Sequence, residues 1–442
     1  MEDENFKPIT LTELNSILGL TIKKDDENKI ITFLCMLTAY TSDAQFNISF
    51  NAPSSSGKSY IPTEIAQFFP KEDVIETGYC SPTAFFHDKA DKYNKEKNEL
   101  IVNLEHKILI FLDQPHTLLL EHLRPLLSHD KKEILLKITD KQQKGGLRTK
   151  NVRLIGFPSV IFCTAGLRLD EQESTRFLLL SPETDQDKLK LSIFEKIKRT
   201  TDKLSYQAKL DLNPKREELI KRIFAIKEAS IQDVIIKNQQ KIEEEFFKRV
   251  KILKPRHQRD IGRLISIIKA TALLNFWFRE RKESYIIAND DDIDLGFSLW
   301  DKISESQELN LPPYVHNLYK EIILKAYEEK NSGVDSGANE GLTRKEILEY
   351  HYEIYGRHLP DWQLRKEILP MLETSGLIFQ EADKEDKRKI LIYPTLYTTI
   401  SEDQKYSGID SGVENLEDKS KSIFKNTTQK MNEDIDPDEI PF

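Results

Sequence analysis

The chain has 442 residues and a formal net charge of −9 at pH 7. This length exceeds what one hydrophobic core ordinarily organises, so we expect two or three domains. The negative net charge excludes indiscriminate binding of polyanions, and any surface that binds nucleic acid must therefore be local.

The cysteines and the apolar runs bear on the cellular setting. Cys35, Cys80 and Cys163 lie far apart and have no metal-ligand spacing. They fit a reducing compartment better than a disulfide framework. The longest apolar run, residues 30–40, is too short to cross a bilayer. We therefore expect a cytoplasmic protein without a membrane partner.

The first half of the chain predicts a nucleotide-binding sheet. After a helical segment over residues 1–30, residues 31–186 alternate apolar strands with polar helices. This alternation is typical of the α/β class, in which helices cover a largely parallel sheet.

A phosphate-binding loop follows the first apolar strand. It reads Ala52-Pro53-Ser54-Ser55-Ser56-Gly57-Lys58-Ser59, a Walker A sequence that begins with alanine. Small residues let backbone N–H groups surround a phosphate, the lysine reaches the β- and γ-oxygens, and the last serine binds Mg²⁺. We therefore expect ATP and Mg²⁺ to bind here, through Ala52, Ser56, Gly57, Lys58 and Ser59.

A second nucleotide motif is expected on a later buried strand. The apolar run 108–112 ends in Asp113, whose carboxylate would complete the Mg²⁺ site. The next residue is Gln114, where ATPases of this plan usually place a glutamate that polarises the attacking water. Glutamine still orients water by hydrogen bonds, and Glu105 and Glu121 are alternative carboxylates that the sequence does not locate.

Two more features lie between residues 141 and 164. The segment 141–150 is rich in lysine and arginine, and Gly145-Gly146 predicts a tight hairpin turn within it. The buried strand 157–163 then ends at Thr164, which we expect to lie between the two motifs as a sensor of the γ-phosphate.

The second half of the chain predicts a helical lid and a small C-terminal domain. Residues 187–330 have helical periodicity, and the Gly/Ser/Asn-rich segment 331–341 predicts a flexible linker. Residues 342–400 predict a winged helix, with Thr343 and Asp361 as helix caps. Three side chains are expected to face outward and contact DNA, or else to belong to a packing or protein-contact domain: Gln363, Arg365 and Lys366.

The last segment, residues 401–442, predicts a disordered acidic tail. Its end resembles the acidic tip of bacterial single-stranded-DNA-binding proteins. The resemblance implies that the Phe442 ring fills an apolar pocket of a tip-binding partner while the terminal carboxylate meets a basic residue. The docking residues would be Asp436, Asp438, Glu439, Ile440, Pro441 and Phe442.

The order of motifs resembles a known motor family. The Walker A loop, the Asp113 strand, the Thr164 strand and the segment Ser174-Thr175-Arg176-Phe177 are similar to the AAA+ motor of replicative helicases. The likeness is to the minichromosome-maintenance type and to helicase modules of phage and plasmid replication proteins, over residues 30–280. It departs at Gln114, and no Cys/His cluster is present for the family's zinc-bearing domain.

The resemblance implies roles for several basic residues. Arg176 would be a finger that enters the ATP site of a neighbouring subunit, and the resemblance therefore implies a ring of six subunits. Arg259, or Arg256 in its place, would be the second sensor of the γ-phosphate. The basic hairpin would grip the DNA backbone in the ring pore, through Lys144, Arg148 and Lys150.

These expectations converge on an ATP-dependent, ring-forming DNA helicase of a bacterial or mobile-element replication system, which acts on single-stranded or forked DNA. Two alternatives remain open. One is an ATP-gated loader or remodeller, which Gln114 favours. The other is a non-enzymatic adaptor that holds ATP and presents its C-terminal modules to partners.

Overall fold

The computed structural model describes residues 6–78, 80–81, 92–94, 99–140, 148–166, 175–250, 252–332, 340–383 and 386–395. The strands are β1 (Ile48–Asn51), β2 (Val74–Thr77), β3 (Lys92–Asn94), β4 (Glu99–Asn103), β5 (Ile108–Phe111), β6 (Glu133–Asp140), β7 (Arg148–Ile155), β8 (Ser159–Thr164), β9 (Leu178–Leu180), β10 (Asp233–Ile236), β11 (Glu280–Lys282), β12 (Tyr285–Ala288), β13 (Ile378–Ala382) and β14 (Ile390–Pro394). The helices are α1 (Leu11–Leu18), α2 (Asp26–Leu37), α3 (Tyr60–Ala66), α4 (Thr117–Leu127), α5 (Gln186–Thr201), α6 (Lys203–Asp211), α7 (Pro214–Glu228), α8 (Gln239–Arg249), α9 (His257–Leu274), α10 (Asp290–Asp301), α11 (Ser304–Glu308), α12 (Pro313–Leu318), α13 (Lys325–Asn331), α14 (Arg344–Tyr355), α15 (Asp361–Gln363) and α16 (Leu369–Thr374).

The central sheet is parallel, as the sequence predicts. Among the described residues its strand order is β2-β5-β8-β1-β9, and every pair is parallel. Strands β1, β5 and β8 are buried along their whole length. Parallel strands are covered on both faces, which explains why these segments are almost continuous apolar runs. The mixed α/β class is therefore confirmed.

Different elements cover the two faces of this sheet. One face packs with α1, α2, α3 and α9 in the largest hydrophobic core. The other face packs with α4 and with strands β4 and β7. The segment before α1 joins the first core, because the Asn275 side chain accepts the Ile9 N–H and donates to the Ile9 carbonyl, each at 2.9 Å.

A second sheet carries the basic hairpin predicted from the sequence. Its order is β3-β4-β7-β6, and β6 pairs antiparallel with β7 from Glu133↔Ile155 to Asp140↔Arg148. The two strands expected on either side of the Gly145-Gly146 turn are therefore present. The turn itself, with Lys144, lies outside the described residues.

The segment expected to be a helical lid also contains strands. Helices α5 to α10 are joined by the small sheet β10-β12-β11. Strand β10 runs parallel to β12, and β11 pairs antiparallel with it. The strands are only three or four residues long, so their alternation is too brief to separate from the surrounding helical periodicity.

The C-terminal helices form a separate core that begins earlier than the limit at residue 342 expected from the sequence. Helices α12 and α13, joined by the π-helical turn Tyr319–Leu324, share this core with α14, α16, β13 and β14. The Asn331 side chain also bonds to the backbone of Glu340 across the predicted linker. The assignment of residues 311–330 to the lid is therefore wrong, because these residues pack in the C-terminal core.

The expected caps in this region have mixed outcomes. Thr343 forms a capping box with Glu346, as predicted. The second helix begins at Asp361 after Pro360, and the Asp361 side chain is not its cap. Strands β13 and β14 follow, pair antiparallel, and complete a helix–helix–hairpin order.

A buried glutamine protects the edge of the central sheet. The edge strand β9 offers backbone groups that need partners. Gln307, with no exposed surface, accepts the Leu179 N–H at 3.0 Å and donates to the Leu179 carbonyl at 2.7 Å. The Gln307 side chain thus makes the two hydrogen bonds that a neighbouring strand would otherwise make with Leu179.

We predict that Gln307→Leu lowers the free energy of unfolding, because it leaves two buried backbone groups unpaired at about 1–3 kcal/mol each. Thermal or denaturant unfolding measures the change. The matched control is Gln240→Leu, which removes only an exposed bond to Glu244. Equal stability of the two variants would show that β9 does not depend on the glutamine.

Candidate functional site

The candidate site lies where parallel strands end. Because β1, β5 and β8 run in one direction, their carboxyl ends meet at one edge of the sheet. Ligand sites of open α/β sheets occur at this edge. The Walker A loop follows β1, Asp113 follows β5, and Thr164 is the last residue of β8.

The Walker A loop has a backbone that fits a phosphate. Ser55 and Gly57 have φ values of 64° and 92°, in the left-handed region that turns N–H groups toward a common point. The space beside the Gly57 Cα is open. The loop then enters α3, where the Tyr60 N–H bonds to the Gly57 carbonyl at 3.1 Å.

Side chains of the loop fit the same ligand. The Ser56 hydroxyl is buried and has no hydrogen-bond partner among the described residues. A buried polar atom of this kind calls for a ligand or water. The Lys58 ammonium donates to the Pro53 carbonyl at 3.4 Å. Ser59 follows directly, at the start of α3. The residues present therefore suit a nucleotide phosphate with Mg²⁺ held by Ser59 and Asp113.

Gln114 and Thr164 are brought together by the sheet. The Thr164 hydroxyl donates to Gln114 Oε1 at 3.1 Å, and it accepts the Gly166 N–H at 3.0 Å. The Gln114 N–H in turn donates to Asp113 Oδ1 at 2.8 Å. Three residues predicted separately therefore form one hydrogen-bonded chain, and the bond from Thr164 fixes the orientation of the glutamine amide.

Charged groups surround a buried thiol beneath the loop. Burial raises the pKa of Cys163 to about 12, Lys58 acts to lower it, and Asp113 and Glu76 act to raise it. The thiol stays neutral and donates to the Lys58 carbonyl at 3.3 Å. Cys163 is thus a core residue, as expected, and its neighbours show that Lys58, Asp113 and Glu76 occupy one region.

Sequence reasoning missed Glu76. It lies on β2, which pairs with β5 so that Glu76 is opposite Ile110 and Thr77 is opposite Phe111. The available signal was a carboxylate near the end of an apolar segment after α3. The alternative Glu105 is excluded, because it precedes β5 at the other edge of the sheet and pairs with Lys132 at 2.8 Å. Glu121 lies on α4, 4.0 Å from Arg124.

The two predicted arginines lie together, away from the Walker A loop. Arg176 precedes β9, and its Nε donates to Ser128 Oγ at 2.8 Å. Arg259 donates to the Thr175 hydroxyl. Both line a cavity of about 370 Å³ that also contains Asp43 and Asn47, residues before β1. This is the amino edge of the sheet, so Arg259 does not reach the phosphate loop of its own chain.

Arg256, the alternative sensor, has a different environment. It bonds to Asp260 at 3.0 Å and to Asn310 at 2.7 Å. Asp260 also pairs with Arg263 at 2.8 Å, and burial lowers the pKa of Arg263 to about 10, which keeps it charged at neutral pH. These contacts hold the start of α9 in place and leave Arg259 as the more exposed arginine.

The candidate DNA contacts are only partly located. Arg148 and Lys150 lie on β7, opposite Asp140 and Ile138. In the C-terminal unit, by which we mean the residues from 311 to 395 that share the C-terminal core, Arg365 and Lys366 are exposed, but Gln363 is buried, with 9% of its surface exposed. The outward orientation expected of Gln363 is wrong, because its turn of the helix packs against the core through Leu364.

Several further predictions lie outside the described residues. The tail residues Asp436, Asp438, Glu439, Ile440, Pro441 and Phe442 all do so. Within the described part, no helix is long and apolar enough to cross a membrane. Nor do the described residues contain a group of three or more His, Cys, Asp or Glu side chains placed to hold a metal.

Comparisons with known proteins find likenesses among solved structures. No family model and no curated protein matches the chain. Among solved structures, a full-length MCM homologue from Methanopyrus kandleri is similar with a TM-score of 0.38 and 14% sequence identity. The match covers 68% of this chain and 63% of that chain, so it spans less than two thirds of the length of that protein.

We predict that Lys58→Ala weakens ATP binding roughly 10- to 100-fold, since a charged hydrogen bond contributes about 1.5–3 kcal/mol. Titration with a fluorescent ATP analogue measures the affinity. Lys71→Ala is the matched control, because Lys71 is exposed in the turn after α3. If the Lys58 variant is folded and its ATP affinity is unchanged, the loop does not bind the nucleotide.

Proposed function

We propose that the protein is an ATP-dependent DNA helicase of the AAA+ class that works as a hexameric ring in replication of a bacterial or mobile genetic element. The observation that carries the ATPase part is the meeting of Lys58, Asp113 and the bonded pair Gln114–Thr164 at the carboxyl edge of one parallel sheet. Phosphoryl transfer needs little more than such positioning and charge.

The chain's own residues divide the work of hydrolysis. The substrate ATP would supply the phosphoanhydride bond that breaks, and Mg²⁺ would neutralise part of the phosphate charge. Lys58 and the loop N–H groups would hold the phosphates, while Ser59 and Asp113 would hold the metal. Gln114, oriented by Thr164, positions the attacking water. A carboxylate oxygen of Glu76 is our candidate to accept the proton that glutamine cannot take.

The arginines support an assembly of several subunits. Arg176 and Arg259 lie at the opposite edge of the sheet from their own Walker A loop. If they act on the γ-phosphate, they act on that of a neighbouring subunit, and Arg259 does so together with Arg176. Such a head-to-tail contact is heterologous and closes into a ring when the rotation permits.

DNA binding is assigned to two surfaces. The hairpin β6–β7 would present Lys144, Arg148 and Lys150 to the phosphate backbone. The C-terminal unit has the helix–helix–hairpin order of a winged helix, with Arg365 and Lys366 exposed for DNA. We further propose that the tail docks onto proteins that recognise the tips of single-stranded-DNA-binding proteins.

One observation favours a second function. Gln114 lacks a carboxylate, and glutamine supports slow rather than fast hydrolysis. An ATP-gated loader or remodeller, which binds DNA without processive unwinding, needs only slow turnover.

Three measurements on the purified chain separate these functions: ATP turnover alone, turnover with single-stranded DNA, and unwinding of a forked duplex. We expect DNA-stimulated turnover with unwinding. Stimulation without unwinding supports the loader. Binding of ATP without turnover, with or without DNA, contradicts both and leaves the adaptor.

We predict that Gln114→Ala lowers kcat and spares ATP affinity, because water loses its positioning group while the phosphates keep theirs. Gln114→Glu should raise kcat.

Glu76→Gln should lower kcat by about 10²–10⁴-fold if Glu76 accepts the proton. Steady-state turnover and nucleotide titration measure both quantities, with Glu105→Gln, at the other edge of the sheet, as the control. Wild-type rates from Gln114→Ala and Glu76→Gln would move the catalytic role elsewhere.

We predict that Arg176→Ala subunits bind ATP normally but do not hydrolyse it, since the arginine serves a neighbouring site. Mixing them with Lys58→Ala subunits should restore part of the activity, at interfaces where an intact loop meets an intact arginine. Turnover of the mixture, with mixed assemblies verified by mass, tests this. Absence of rescue would argue against a shared site.

A further inference from the structure

Helix α5 (Gln186–Thr201) is amphipathic, but its polar face is turned toward the protein and its apolar face is turned outward. Its polar side chains face inward: Lys188 pairs with Asp25, Glu195 with Lys23 at 3.2 Å, and Arg199 with Glu64. On the opposite side lie apolar side chains with large exposed fractions, which we call the ridge: Leu189 37%, Ile193 57%, Phe194 49% and Ile197 50%. A helix with this pattern has its apolar stripe available to a partner.

The ridge stands next to the candidate ATP site. Arg199 contacts Glu64 on α3, the helix that follows the Walker A loop. Lys188 contacts Asp25, and the Asp25 carboxylate accepts the Glu183 N–H at 2.7 Å, just after the carboxyl end of β9. The ridge therefore belongs to the carboxyl edge of the sheet.

An apolar groove lies on another part of the same chain. It has a volume of about 920 Å³ and runs between α8, α9 and strand β10. Its wall includes apolar side chains with large exposed fractions: Ile235 38%, Phe247 57% and Leu253 63%. A groove of this kind accepts an amphipathic helix through apolar residues that follow one another three or four positions apart. Leu189, Ile193 and Ile197 have that spacing.

The groove is continuous with the arginine cavity. Gln258, Ile265 and Lys269 line both cavities. The groove therefore lies beside Arg176 and Arg259, as the ridge lies beside the Walker A loop. A second copy whose ridge fills the groove would bring its phosphate loop toward these arginines.

Charge favours the same pairing. Lys190, Lys196 and Lys198 are exposed on α5, on and beside the ridge. Glu243 lines the groove and Glu244, next to it on α8, is also exposed. Lys269 in the groove is already paired with Asp233 at 2.6 Å. The opposite charges add attraction and fix the direction of the contact.

We propose that the ridge of α5 docks into the groove between α8 and α9 of a second copy of this chain. The contact is head-to-tail, so each copy uses its ridge on one neighbour and its groove on the other. The role of this contact, which is to bring a Walker A loop to a neighbour's arginines, rests on the proposed function. The contact itself requires only the two surfaces.

Cross-linking tests the pairing directly. In a Cys80→Ser background, Ile193→Cys is combined in one chain with Phe247→Cys, Leu253→Cys or Ile235→Cys and treated with a short bismaleimide. We expect a ladder of covalent multimers from at least one combination and none from chains with a single introduced cysteine. Linked dimers from Ile193→Cys alone would overturn the head-to-tail contact. A linked species of monomer mass would mean that the groove takes the chain's own helix.

Substitutions test the energetics in the full chain by light scattering, without nucleotide. Ile193→Glu and Phe247→Glu should each convert multimers to monomers, while Ile390→Glu, at 40% exposure on β14, should not. Lys190→Glu with Lys196→Glu should weaken assembly, and Glu243→Lys with Glu244→Lys in the same chain should restore it. Multimers that survive both apolar substitutions, or a wild-type chain that is monomeric throughout, would refute the proposal.

The same variants separate this proposal from the proposed function. Cross-linked multimers that neither bind nor hydrolyse ATP would support the contact between copies and refute the proposed ATPase function. ATP hydrolysis with undiminished rates in Ile193→Glu monomers would leave the contact standing and remove the need for a neighbour's arginines.

Discussion

The parallel pairing of the central strands is the constraint on which the other features depend. Because all five strands run in one direction, every segment that follows a strand emerges at one edge and every segment that precedes one lies at the other. The Walker A loop, Asp113 and Thr164 therefore meet, although more than a hundred residues separate the first from the last. The same rule sends Arg176, which precedes β9, to the far edge.

The hydrolysis that we propose at the carboxyl edge depends on Gln114, which stands where ATPases with this arrangement of motifs usually have a glutamate. Gln114 cannot accept a proton, but the Thr164 hydroxyl holds its amide in place at 3.1 Å. A carboxylate on the adjacent strand, Glu76, lies in the region of Lys58 and Asp113. In the proposed function, two residues on neighbouring strands would therefore divide the positioning of water and the acceptance of its proton, which a single glutamate usually combines.

Polar anchoring explains why apolar surface is left exposed. Lys188, Glu195 and Arg199 hold α5 by ion pairs, so its apolar residues are free to face outward. At the far edge, the contacts of Arg256 and Arg263 with Asp260 hold the start of α9 beside the groove. Both surfaces are thus held in place by ion pairs, and a surface that is ordered before binding loses less conformational entropy when a partner binds.

The sequence by itself determined the features that depend on neighbouring residues. The Walker A loop, the strands ending at Asp113 and Thr164, the strands of the basic hairpin and the cap at Thr343 all follow from local spacing and side-chain type. Only the tertiary structure decided which face of a helix is buried and which distant segments share a core. It buried Gln363, joined residues 311–330 to the C-terminal core, placed Arg259 beside Arg176 and brought Glu76 to the site. These outcomes depend on contacts between residues far apart in the chain, which local periodicity does not encode.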